Sequence, residues 1–348
     1  MNNAFIEFLE SKTESEWLAA LGALLPSVHE VDRNAVQIWF RFYPLSLQRY
    51  LVNADHVDET KAGIAMQGDF GLEEKIDTSH RFLYGHRYWP TVKAMVETVA
   101  ADGGSGKDLA GTIKDLAAKA AADVKADASL LIGITTVALM TLVQVGRERF
   151  TAAPGRVEKP KGVLAGRPGA IVKARAQDES QGLFGFLKTI DRKFSIVYDE
   201  NAPNGKFPVM NDQEIASASA NDRSQNWQAK DGRCWEGPVP VECTSASCGT
   251  CWVGVLAGQE KLTDVSRRER RAMKVFGYQQ PDEEKPFLRL ACQARALGNV
   301  TIVIPPWNAV FGKKVYGNVE ELELEPATTS AKRLRETIAE VTNTETAS

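Results

Sequence analysis

The sequence predicts an α+β protein of two domains, an all-α helical bundle followed by a domain built on short strands. Three observations carry this. Apolar residues in 1–150 recur at helical spacing, and those beyond residue 190 alternate with a period of two. Between them, residues 151–170 hold three prolines and four glycines and no period survives. The boundaries expected are a helical docking domain over 1–150, a linker over 151–170, the strand-bearing domain over 171–325 and a C-terminal tail over 326–348. A chain of 348 residues is long enough for two separate cores.

The helical half is read from its caps. Thr13 and Glu16 form a capping-box pair ahead of Trp17, Leu18, Leu21, Leu24 and Leu25, and Pro26 ends the run. A second apolar stretch, AVQIWFRFY, begins after Asp32 and stops before Pro44. Pro90 suits the first turn of a helix over TVKAMVETVAA. After a glycine-rich break at 103–106, an alanine-rich helix is expected up to Lys125. Residues 128–146, ASLLIGITTVALMTLVQVG, then run without a charge. That length just reaches across a bilayer, so membrane contact through 128–146 is one reading. Ser129, Thr135, Thr136, Thr141 and Gln144 dilute the segment, which favours a helix buried in a bundle or a subunit interface.

In the second half, Phe194, Ile196 and Tyr198 alternate, as do Val253 and Val255, and Val300, Ile302 and Ile304, with Pro305 and Pro306 as a stop. No opening hairpin is discernible between 170 and 210. One helix is expected from Ser266, with Glu269 completing a capping box, Val265, Met273 and Phe276 facing inward and Gly277 ending it. The tail from Pro326 reads as a short helix that frays.

The chemistry lies in VECTSASCGTCWVGVLAG. Cys243, Cys248, Cys251 and Cys292 are spaced C-x4-C-x2-C, then 40 residues, then C. Disulfides are the weakest reading, because five cysteines cannot all pair and the N-terminus, MNNAFIEFLESK, has no secretory pattern. Zinc is next, but structural zinc prefers two close ligand pairs, and Cys292 has no near neighbour of ligand type. A two-iron, two-sulfur core fits better. It needs three thiolates wrapped closely round one edge and a fourth from elsewhere. Gly249 allows the tight bend, and Thr244, Ser245, Ala246, Ser247 and Thr250 are small enough to bring amides and hydroxyls to the sulfurs.

CTSASCGTC followed by WVGVLAGQ, and RLACQARALGNVTI, resemble the plant-type [2Fe–2S] ferredoxin family over about residues 190–310. The resemblance implies Cys243, Cys248, Cys251 and Cys292 as cluster ligands and a β-grasp fold, a small mixed sheet crossed by a helix with the cluster under an edge loop. It also implies a low potential, on the order of −400 mV. The gap from Cys251 to Cys292 is longer than in small plant ferredoxins, and the helix near Ser266 fills it.

Other residues carry less. Cys234 reads as a buried thiol. Trp235, Trp252 and Trp307 read as core that keeps water from the cluster. Nine Lys or Arg against five Asp or Glu in 261–295 make that stretch mildly basic, read as a solvated helix face or as a docking patch for an acidic partner. His80 and His86 stand six residues apart, about 240° on a helix, so they would not share a face and are read as structural rather than as haem or metal ligands. No catalytic carboxylate pair, nucleophile elbow or phosphate-cradling loop stands out.

The function expected is one-electron transfer by a ferredoxin-like accessory protein or subunit of a larger redox enzyme or respiratory complex, a dehydrogenase or hydrogenase among them. It would be an electron carrier rather than an enzyme itself. The partner expected is a redox protein. Net charge of −3 and the lack of a basic tract exclude nucleic acid. The location expected is cytoplasmic, with membrane association if 128–146 meets lipid. The alternative is an iron–sulfur redox sensor whose helical half binds a partner.

Overall fold

The computed structural model describes residues 4–103, 108–176, 192–277 and 283–316. The tail over 326–348 lies outside these. The chain forms two compact units that do not follow its order simply. One comprises Met1–Asn53, Phe70–Ala176 and Asp199–Gly205, the other Ala54–Asp69, Gln177–Tyr198 and Lys206–Ser348.

The first unit is helical, with α1 (Ala4–Glu10), α2 (Glu14–Leu24), α3 (Glu30–Phe42) and α4 (Leu45–Val52). Helix α5 (Val57–Gly63) and strand β1 (Gln67–Gly68) come next in the chain but belong to the second unit. The first unit resumes with α6 (Trp89–Asp102), α7 (Leu109–Val124), α8 (Ser129–Ala152) and α9 (Pro168–Arg175). Both arms of the Thr13–Glu16 capping box form. Trp17, Leu21 and Leu24 are buried while Leu18 is exposed, as one apolar stripe on α2 requires.

Helix α8 is long and apolar enough to cross a membrane by length and composition, yet 83% of its most apolar window is buried inside the protein. It packs on α3, α6 and α7. Three of its polar side chains find protein partners, while the buried Thr135 hydroxyl has none among the described residues. The Thr136 and Thr141 hydroxyls donate to Ile132 O and Val137 O, and Gln144 Nε2 donates to Tyr43 O at 2.8 Å. These bonds suit a core helix of the bundle. Gly146, at φ 77°, kinks α8 after the apolar run.

Residues expected to be linker carry structure in this unit. A 3-10 turn at Gly162–Ala165 precedes α9, Leu164 and Ile171 are buried, and Arg175 makes a bidentate ion pair with buried Glu200 at 2.7–2.9 Å.

The second unit holds a five-stranded sheet. Its members are β2 (Lys193–Val197), β3 (Lys206–Met210), β5 (Trp252–Ala257), β6 (Leu288–Leu290) and β8 (Val300–Val303), in the order β3-β2-β8-β5-β6. The pair β2·β8 is parallel and the others antiparallel. The pair β2 and β3 forms an opening hairpin that is not discernible in the sequence, because Pro208 and the eight-residue connection over 198–205 obscure its second strand. Smaller ladders join β4 (Gln213–Glu214) to β7 (Arg295–Ala296) and β1 to β9 (Trp307–Asn308). Helices α10 (Ile215–Ser219), α11 (Trp227–Lys230), α12 (Arg267–Phe276) and α13 (Gly312–Tyr316) complete the unit. The chain is therefore α+β, with helices first and a small mixed sheet after.

Helix α12 is the helix expected from Ser266. Val265, Met273 and Phe276 are buried and Gly277 closes it at φ 76°. Its capping box is only half made. Ser266 Oγ accepts from Glu269 N at 3.1 Å, but the Glu269 carboxylate turns inward. There it accepts from Arg289 Nε and Nη2 at 2.8 and 2.9 Å and from Leu290 N at 2.8 Å. A carboxylate on the buried face of α12 is held by a buried guanidinium before it can reach back to its own cap.

Candidate metal centre

The cysteine loop is short, and its backbone turns back on itself twice. Ala246 and Gly249 both take left-handed conformations, at φ 61° and 68°. Ala246 carries a Cβ in that region, a modest strain that marks a constrained loop. At Gly249 no side chain would fit, since a Cβ would lie 2.6 Å from Val310 Cγ2 and 3.1 Å from Ala309 O. The loop is thus pressed onto residues 309–310.

This bend brings the four sulfurs together two by two. Cys243 and Cys248 are in hydrogen-bonding contact, as are Cys251 and Cys292. Cys292 arrives at the end of the neighbouring strand: β6 pairs with β5, and Ala291 N donates to Cys251 O at 2.9 Å, which docks the end of β6 on the loop. In each pair one sulfur holds the proton and the other accepts it. The bond from Cys248 pulls the Cys243 thiol down to about 5, and the same bond holds Cys248 above its ordinary value. Likewise the Cys251 bond lowers Cys292 and raises Cys251.

Amides converge on the same sulfurs. Ser245 N and Ser247 N point at Cys243, Thr250 N at Cys248, Cys292 N at Cys251, and Ala246 N at Cys292. Thr250 Oγ1 lies 3.0 Å from Cys248 Sγ and accepts from Glu242 N at 3.1 Å. N–H and O–H donors of this kind stabilise negative charge on sulfur, and metal binding requires that charge.

Among the described residues no three His, Cys, Asp or Glu side chains converge on a position for a single ion. A diiron core instead takes two thiolates on each iron, and the donor set here is two pairs of thiols. The residues present therefore fit such a group.

Gln293, inside the LACQAR segment, was not singled out from sequence. Its Nε2 donates to Thr244 O at 3.1 Å and approaches Cys292 Sγ at 3.7 Å, while its Oε1 accepts from Ser266 Oγ at 3.1 Å. One amide thus stitches the loop, the fourth cysteine and the cap of α12. A polar residue beside a ligand-type cysteine was the available signal. Trp252 and Trp307 are fully buried, and Phe276 stacks edge-on against Trp252 at 5.5 Å.

The remaining candidates stand apart. Cys234 is buried, its Sγ donates to Pro238 O at 3.3 Å, and burial pushes the thiol up to about 12. It contributes no contact to the four. His80 and His86 do meet, contrary to the helical-spacing estimate. Residues 73–83 are turns, and Gly85 lies in a 3-10 turn, Tyr84–Tyr88, so no helix separates the rings. Their Nδ1 atoms are 2.7 Å apart, and His80 Nε2 faces Ile76 O at 3.2 Å. His80 must donate to that carbonyl, so its Nδ1 accepts from His86. His29 caps α3, and His56 is exposed.

No curated protein and no solved structure matches the chain. Residues 217–297, which contain all four loop-associated cysteines, match the family described as the 2Fe-2S iron-sulfur cluster binding domain, and a [2Fe–2S] cluster is the cofactor of this part of the chain.

Proposed function

We propose that this protein is an electron carrier of the plant-type ferredoxin kind, with Cys243, Cys248, Cys251 and Cys292 as the ligands of one [2Fe–2S] cluster. The observation that carries this reading is the pairing of the four thiols under five inward-pointing amides, within the span that matches the cluster-binding family. When bound, such a cluster takes up and releases one electron. The protein holds four deprotonated sulfurs, offsets their charge with amide and hydroxyl donors, and keeps water away with Trp252 and Phe276. Cys243 with Cys248 would serve one iron, and Cys251 with Cys292 the other. The helical half would dock this module on a larger redox enzyme or complex, as an accessory protein or subunit, and the exchange partner is a redox protein.

Anaerobic preparation tests the reading. The full chain should carry two irons and two sulfides, with a reversible one-electron couple and an electron paramagnetic resonance signal on reduction. Serine at Cys243, Cys248, Cys251 or Cys292 should abolish or damage the cluster, while Cys234→Ser should retain it. A colourless wild-type protein holding zinc would overturn the proposal.

A further inference from the structure

Residues 54–69 come from the helical half of the chain yet pack in the sheet unit. Strand β1 pairs with β9 in the register Gln67↔Asn308 and Gly68↔Trp307. Asp69 N donates to Pro306 O at 3.1 Å, Val310 N to Ile64 O at 3.4 Å, and Lys314 Nζ to Gly63 O at 2.9 Å. The segment thus lies as a strap on residues 306–314. Those residues in turn bear on the cysteine loop, since Gly249 has no room for a Cβ against Ala309 and Val310. One strap residue also reaches the loop directly. Gln67 Nε2 donates to Glu242 Oε1 at 3.1 Å.

That contact opens a chain of hydrogen bonds ending on sulfur. Gln67 holds the Glu242 side chain, Glu242 N donates to Thr250 Oγ1, and Thr250 Oγ1 touches Cys248 Sγ. Thr250 is buried. Its oxygen already accepts from Glu242, and a thiolate at Cys248 has no proton to give, so the hydroxyl must then donate to sulfur. The link through Glu242 is positional: holding its side chain fixes the residue whose backbone N–H orients the Thr250 hydroxyl.

Resting on the cluster reading above, we infer that Gln67 is a positioning residue for the cluster, acting through Glu242 and Thr250 on Cys248, so that a strap from the helical half helps set cluster retention and potential. Removing it slackens the hydroxyl donor on sulfur. A weaker donor favours the less negative, oxidised state, so the potential falls.

The test uses the full chain with Gln67→Leu, Thr250→Val and both together. Gln67→Leu should still load iron and sulfide, release iron to a chelator about tenfold faster, and show a more negative midpoint potential. In the Thr250→Val background the same change should have no further effect on potential, because the last link is already gone. Hydrogen exchange on the unloaded chain should show the 242–251 amides opening faster in Gln67→Leu than in wild type. The inference is overturned if Gln67→Leu matches wild type in release rate and potential, or if its effect on potential is undiminished in the Thr250→Val background. A wild type free of iron and sulfide would sink the cluster reading. The exchange experiment would then still decide the strap, and unchanged exchange at 242–251 would reject it.

Discussion

The two units bury polar side chains in opposite ways. In the helical unit the buried titratable groups Asp32, His80 and Arg175 close on fixed protein partners. Asp32 accepts from Tyr84 N and Gly85 N at 2.6 and 2.8 Å, His80 and His86 bond to each other, and Arg175 grips Glu200. In the sheet unit Glu269 and Arg289 close in the same manner, but the four thiols pair with one another through shared protons, under amide and hydroxyl donors. A network completed by protein atoms fixes a fold. A network completed by protons can exchange them for metal.

The largest expected effect separates the units directly. Glu200→Ala leaves Arg175 buried without its carboxylate, and Glu269→Ala does the same to Arg289. Each should cost about 3–5 kcal/mol of stability, read by chemical denaturation. Only Glu269→Ala should also lower iron content, because Glu269 binds Leu290 N, two residues before Cys292. Equal iron loss in both variants would show that the two units do not keep separate accounts of stability.

The sequence shows this contrast unevenly. The tight cysteine loop and its Gly249 bend are legible because a short loop constrains near neighbours, and Gly249 takes φ 68° there. Helices α2, α3 and α12 were legible through caps and apolar stripes. What escaped depends on distant partners. Nothing local marks Asp32 as the acceptor for a turn fifty residues on. The inward turn of Glu269 was visible only as an acid in line with Met273 and Phe276, and its partner Arg289 was read as part of a motif. The strap at 54–69 is polar and irregular, and its placement follows from a two-residue ladder with β9 that no periodicity announces. The His80–His86 contact escapes helical geometry because turns and a 3-10 turn, not an α-helix, join the two rings.

Acid titration offers a second, smaller test. Burial pushes the Asp32 carboxyl up to about 6 and the His86 ring down to about 4, and it holds His80 well below its usual value. Around His86 stand Arg81 and Arg87, which lower it further, and Glu158 and Asp77, which oppose them. Between about 4 and 6 the folded chain keeps a proton on Asp32 that the unfolded chain releases, so this contribution weakens as pH rises. Between 6.5 and about 4 the unfolded chain protonates His86 and the folded chain does not, so that contribution weakens as pH falls. Asp32 and His86 nearly offset each other, so His80 decides the sign and the helical unit should lose stability from pH 6.5 to 4.5. The sheet unit has His56 alone, and it is exposed. Hydrogen-exchange protection, corrected for the intrinsic rate at each pH, should therefore fall with acid in α3 and α8 more than in β5 and β8, and His86→Gln should reduce that difference. A uniform loss of protection would remove the distinction.

The smallest effect concerns the fifth cysteine, which sits in the unit of exchangeable thiols but follows the rule of the other unit. Cys234 has a fixed partner, Pro238 O, and burial holds its proton up to about 12. At pH 8 its thiolate fraction is about one in ten thousand, whereas the Cys243–Cys248 pair already carries a sulfur near 5. On the unloaded chain iodoacetamide should therefore label the 243–251 loop long before Cys234, as read by mass spectrometry of the digested protein. Cys234→Ser keeps a donor for Pro238 O and should cost about 1 kcal/mol, with iron content unchanged. Labelling of Cys234 at the rate of the loop would place it among the exchangeable thiols. It would then be burial by itself, rather than the partner each sulfur has, that fails to tell a structural cysteine from a metal-binding one.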